Sequence, residues 1–143
     1  MPTDYVIDAE HRTVFTLGLG TLSILDLLDS MTRLLADPGF SPSFHHIADF
    51  RQVAIDAPRL SSADIRSLAT RTVFDASSRR AFIIGPSAAF DLARLYATQR
   101  GAEGETNVRT VANVEEAAQW TGVDLDAAKQ ALAELSKRLE SSS

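Results

Sequence analysis

Cysteine is absent from the 143 residues, lysine occurs only twice and histidine three times. Without thiols, neither a disulfide framework nor a thiolate metal site is available, which fits a reducing compartment. Two of the three histidines are the neighbours His45 and His46. On a regular strand neighbouring side chains point to opposite faces, so these two do not share one ion, and no metal or other cofactor is expected. No segment approaches the roughly 18 apolar residues of a membrane span, so no integral membrane segment is expected. Met1-Pro2-Thr3-Asp4-Tyr5 carries neither the basic cluster nor the apolar run of a signal peptide, and the expected location is cytoplasmic. A net charge of -5 disfavours a generic nucleic-acid binder, whose affinity comes largely from basic groups neutralising phosphates.

Catalytic motifs are missing as well. Gly18-Leu19-Gly20 stands between a strand pattern and a helix pattern, as a dinucleotide fingerprint would, but the third glycine position is Ser23. Ser87 follows Gly85-Pro86 without the flanking glycines of a nucleophile elbow, and capping of a helix explains it. These absences favour a protein that is not an enzyme.

What is present is an ordered series of elements, and a chain of this length buries about 70% of its unfolded surface, enough for one core. Tyr5-Val6-Ile7 and Thr13-Val14-Phe15-Thr16-Leu17 read as a hairpin around the polar residues 8–12. Gly18 to Thr21 breaks the strand pattern, and a helix capped by Thr21 or Ser23 runs to about Asp37, where Pro38-Gly39 stops it. Ile24, Leu27, Leu28, Met31 and Leu35 share one face of that helix, and Leu25 and Leu34 widen it. His45 to Phe50 is a third strand, Ser61-Ser62-Ala63-Asp64 opens a second helix, and Ala81-Phe82-Ile83-Ile84 is a strand apolar enough to be buried on both faces. A further helix follows Ser87, and Val108-Arg109-Thr110-Val111 is the last strand. Asn113 caps a short helix ended by Thr121-Gly122. Strand and helix alternating through short connections predict an α/β fold with parallel strands joined by crossovers, here a five-stranded mixed sheet whose first strand is antiparallel.

Beyond Asp124, Leu125, Ala128, Leu132, Leu135 and Leu139 recur at spacings of three and four on an otherwise polar helix. That seam needs a partner surface in the same subunit or another. Because the alternation is complete at Gly122, a homodimer contact through Leu125, Leu132, Leu135 and Leu139 is the favoured reading.

Among polar residues, Asp49 and Asp56 bracket the exit of the third strand, where open parallel sheets present ligand-binding groups. Two carboxylates perform acid and base work if their environments split their pKa values, but an Asp at a strand end more often bonds loop amides or an arginine such as Arg51. Arginine outnumbers lysine 12 to 2, and nine of the arginines lie from Arg51 to Arg109. Recognition of carboxylate or phosphate and ordinary solvated helix faces both account for this.

Taken in order, Ile47-Ala48-Asp49-Phe50-Arg51, Leu60-Ser61-Ser62-Ala63-Asp64, Arg80 to Ser87 with Ala93-Arg94-Leu95-Tyr96, and Val114-Glu115-Glu116-Ala117-Ala118-Gln119-Trp120 resemble the small bacterial SpoIIAA-like proteins. These have the STAS fold of anti-sigma-factor antagonists and are related in architecture to CRAL-TRIO lipid-transfer domains. The resemblance spans residues 4–122. It implies a STAS-like sheet with helices largely on one face and no catalytic constellation. It divides the chain into a domain at 1–122 and an added amphipathic helix with a short polar tail at 123–143.

In signalling members a serine at the start of the helix after the third strand is phosphorylated. The corresponding Pro58-Arg59-Leu60-Ser61-Ser62-Ala63 lacks their Asp-Ser-Ser/Gly pattern, and Ser61 with Asp64 forms a capping-box-like pair. The resemblance thus leads to an interaction or regulatory module, acting on a protein partner or on itself through a surface that includes Asp49, Arg51, Asp56, Ser61, Ser62 and Ser87. The alternative it implies is a carrier or sensor of a small apolar or lipid-like ligand.

Overall fold

The computed structural model describes residues 3–22, 24–55, 74–75, 77–84 and 107–141. In chain order these form β1 (Thr3–Asp8), β2 (Thr13–Leu22), α1 (Ile24–Ala36), β3 (His45–Ile55), β4 (Arg80–Ile83), β5 (Val108–Val111), α2 (Val114–Thr121) and α3 (Leu125–Ser141). The strands lie side by side in sequence order in one sheet. β1 pairs antiparallel with β2, and every later pair is parallel. The α/β class and the mixed five-stranded sheet are therefore as the alternation predicts.

Period-two alternation sorts the strands into two faces. Phe15, Leu17, Ile47, Ala81, Ile83 and Val111 form one core with α2 and α3. Val14 on the opposite face packs with Leu34 of α1 and with Phe74, and Tyr5 and Ile7 join them. The described helices thus divide between the faces, α1 on one and α2 and α3 on the other; the two crossover helices read after Ser61 and Ser87 lie outside the described residues.

β2 does not break at Gly18 but continues to Leu22, paired with β3 as far as Ile55. The register shifts between Leu17 and Leu19: Leu17 faces Asp49 while Leu19 faces Gln52. One extra residue on β3 makes this a bulge, which reverses the alternation beyond it. Phe50 and Val53 consequently both crowd Gly18, where a Cβ would sit 2.7 Å from Val53 Cγ2 and 3.1 Å from Phe50 Cδ1. Glycine serves here for close approach within a strand rather than as a stop. In α1, Leu34 is buried, but Leu35 is 58% exposed and does not belong to the inner face.

The C-terminal helices begin and end on local signals. Asn113 accepts the Glu116 amide at 2.9 Å, and the Glu116 carboxylate accepts the Ala112 amide at 3.0 Å. Gly122 adopts φ 77°, its N–H donating to Ala118 O at 2.9 Å while Val123 N–H donates to the same carbonyl at 3.1 Å. Asp124 then accepts the Ala127 amide at 3.0 Å and starts α3.

The seam of α3 lies on its own sheet. Ala128, Leu132, Leu135 and Leu139 are buried in the core with Phe15, Leu17 and Ile47, and Leu125 packs against them. The dimer contact read from these leucines is replaced by an intramolecular one. A heptad-like seam fits an apolar sheet as well as a second helix, and the sheet is tethered to α3 through α2 and the short turn at 122–124. Residues 123–141 are accordingly part of the core rather than an appendage to it. No described helix is long and apolar enough to cross a membrane.

Candidate functional site

Asp49 is not at a strand exit. The bulge carries β3 six residues further, and the Asp49 side chain is 5% exposed on the face covered by α2 and α3. Its Oδ1 accepts the Arg51 amide at 3.1 Å and Arg51 Nε at 3.0 Å, while Oδ2 accepts Arg51 Nη2 at 2.8 Å. Residues two apart share one face of a strand, which brings the two side chains together, and the adjoining bulge leaves the Arg51 amide to be bonded locally. Bonding to Asp49, and to a lesser degree the charges of Asp49 and Glu115, raise the Arg51 pKa. Asp56, Ser61, Ser62 and Ser87 lie outside the described residues, so no carboxylate pair is formed with Asp49 among the described ones.

His45 and His46 separate as alternation requires. His45 Nδ1 accepts the Arg79 amide at 3.0 Å, and burial, then Arg79 and Arg12, lower its pKa. His46 Nε2 lies 2.8 Å from Thr16 Oγ1, and its ring stacks on Phe74 with centroids 5.0 Å apart. Burial, aided by the Arg80 guanidinium, pushes the His46 pKa down to about 3, so the ring is neutral at physiological pH.

Among the described residues, one further surface feature was not singled out from sequence. It is a groove of about 520 Å³ along β1, lined by Asp4, Tyr5, Val6, Ile7, Ala9, Arg33, Asp37, Gly39 and Arg138. β1 ends the sheet on this side, so the floor of the groove is a strand edge. One wall is the end of α1 with the turn after it, and the other is the last part of α3. Tyr5 fastens the first wall: its hydroxyl donates to Asp37 Oδ2 at 3.0 Å and to Arg33 O at 3.2 Å, and the Arg33 guanidinium lies 5.4 Å from the ring centre. Burial, then the bond to Asp37, raise the Tyr5 pKa.

Asp4 joins the walls across the edge. Its Oδ1 accepts the Tyr5 amide at 2.8 Å, and its two oxygens lie 3.5 Å from Arg33 Nη2 and 3.4 Å from Arg138 Nη1. Both arginine side chains are more than 40% exposed and both contacts are long, so these pairs are weak. Asp4 and Arg138 are 134 positions apart, and only the fold brings them together. The sequence signal was the pair Asp4 and Asp8 flanking a short apolar strand, a pattern typical of a charged edge.

A scan against models of known protein families and a search of the curated proteins give no match. The class of the chain therefore rests on its geometry, an α/β domain whose described residues form a mixed sheet with a groove along its antiparallel edge strand.

Proposed function

We propose that the chain is a non-enzymatic, STAS-like interaction or regulatory module working in the cytoplasm. The observation that carries this reading is the groove along β1: a strand edge between two helical walls, with Arg33 and Arg138 converging on a single carboxylate. Strand edges and exposed guanidinium groups bind other chains through main-chain hydrogen bonds and ion pairs, without covalent chemistry. The order of motifs shared with SpoIIAA-like proteins supports the same class.

The test is a benzophenone side chain placed at Ala9, on the rim of the groove, in the full chain expressed in its own cell. The expected result is a defined protein adduct from Ala9, lost on Arg33→Glu and absent when the probe is moved to exposed Ala133 on α3. Equal adducts from both positions, or none from Ala9, would contradict the proposal. A second reading, a carrier of a small apolar ligand, is favoured by the rings gathered on the α1 face of the sheet, where Phe50 stacks on Phe82 at 6.0 Å and Phe40 meets Phe74 edge-on at 5.4 Å. Native mass spectrometry showing a retained apolar molecule, with no adduct from Ala9, would select the carrier.

A further inference from the structure

Antiparallel pairs alternate between residues whose backbone groups face the neighbouring strand and residues whose groups face away. The Tyr5 amide bonds the Asp4 carboxylate, so it belongs to the outward set. Thr3 and Ile7, two positions to either side, share its phase in the register Thr3 to Gly18, Tyr5 to Thr16 and Ile7 to Val14. Thr3 is only 1% exposed, so Tyr5 and Ile7 are the outward positions that the groove offers to a further strand, and Asp4 now occupies the first of them.

The walls select the occupant. Edge-to-edge pairing with a second copy of this sheet would bring two recessed edges together, each set between its own α1 and α3, and the walls would meet before the strands. A single extended peptide enters such a groove. The charge selects its composition: Arg33 and Arg138 reach over the edge from opposite faces and share one carboxylate, held at 3.4–3.5 Å. A carboxylate arriving from outside competes with Asp4 for both. If Asp4 is displaced, the Tyr5 amide is released for a carbonyl of the incoming strand.

Resting on the reading of the chain as an interaction module, we infer that β1 takes up an extended peptide as a sixth strand, with an acidic side chain of that peptide replacing Asp4 between Arg33 and Arg138. Asp4 is then a built-in competitor. It satisfies the edge while the groove is empty and weakens every incoming strand by the strength of its own bonds. This follows the general practice of guarding strand edges with charge, turned here into a threshold for binding.

The probe is a displayed library of random twelve-residue peptides, selected on the full chain. Selected peptides should carry an Asp or Glu within a β-branched or aromatic run, and methylating alternate amides of the best one should abolish its binding. Arg33→Gln with Arg138→Gln should weaken it at least tenfold. Asp4→Asn should tighten it roughly two- to fivefold, the scale of one exposed ion pair, because asparagine still accepts the Tyr5 amide but no longer holds the arginines. Both arginines are exposed, and circular dichroism with a thermal melt checks that the variants fold; if the double variant does not, Asp4→Asn alone decides. Failure to select any peptide, selection without acidic residues, tolerance of amide methylation, or no gain from Asp4→Asn would each overturn the inference. If it falls while the Ala9 adduct remains, the module reading survives and only the strand-addition mode is lost. Loss of both removes the module reading too.

Discussion

At the residue scale, two buried polar groups are settled by their partners. Asp49 is a carboxylate whose oxygens are taken by Arg51 and its amide. Asp49→Asn keeps the shape and loses the charge-assisted fork. Since Arg51 is 41% exposed, the expected loss is modest, about 1 kcal/mol in a urea unfolding titration. A much larger loss would mean that the fork is screened far less than its exposure implies.

His46 yields a pH dependence. Its pKa in the folded chain is about 3, below the 6.5 of an unfolded histidine, so between those values the unfolded chain binds more protons. Its contribution is intact above pH 6.5 and is lost progressively as pH falls toward 3, on the order of 1.4 kcal/mol per pH unit at most. His45 acts in the same direction and His11, whose pKa is raised chiefly by its bond to Asp8, in the opposite one. Unfolding titrations at pH 4.5 and 7 should show less stability at the lower pH. His46→Gln, which cannot charge but retains a group for Thr16, should reduce that difference, whereas an unchanged difference would place its origin elsewhere.

Among the elements, α3 is the one whose role changes most between sequence and structure. A 17-residue helix is marginal alone in water, and burying each of Leu132, Leu135 and Leu139 contributes roughly 1.5–3 kcal/mol before entropy is subtracted. Leu135 is fully buried, so Leu135→Ala should cost about 2–5 kcal/mol in a chemical unfolding titration. It should leave the sedimentation behaviour unchanged, because the leucine faces its own sheet. A dissociated dimer with unaltered monomer stability would instead support the intersubunit seam.

The sequence made α2 and α3, the hairpin and the cores of all five strands plainly visible, because Asn113, Gly122, Asp124 and the apolar runs act locally. It did not reveal which surface the α3 seam covers, since a spacing of three and four specifies a face and not a partner. Nor did it reveal the continuation of β2. Gly18 reads as a breaker until its crowding by Phe50 and Val53 is known. The Asp49 and Arg51 pairing was legible as a local option, since residues two apart share a strand face, but the bulge beside it is a property of two strands.

For the whole molecule, the decisive asymmetry is in the sheet. Among the described strands, the parallel β5 ends it on one side, and the antiparallel β1 ends it on the other as an edge between α1 and α3. The groove there combines residues from both ends of the chain, Asp4, Arg33 and Arg138, so no local motif announces it. The excess of acids over bases makes a site with two converging guanidinium groups distinctive on this surface. Binding of partners at this edge, as proposed, is read by amide hydrogen exchange followed by NMR, with and without a bound partner or selected peptide. Protection should rise at Tyr5 and Ile7, with little change at Asp49 and Arg51; protection gained at the Asp49 end of β3, with β1 unaffected, would contradict it.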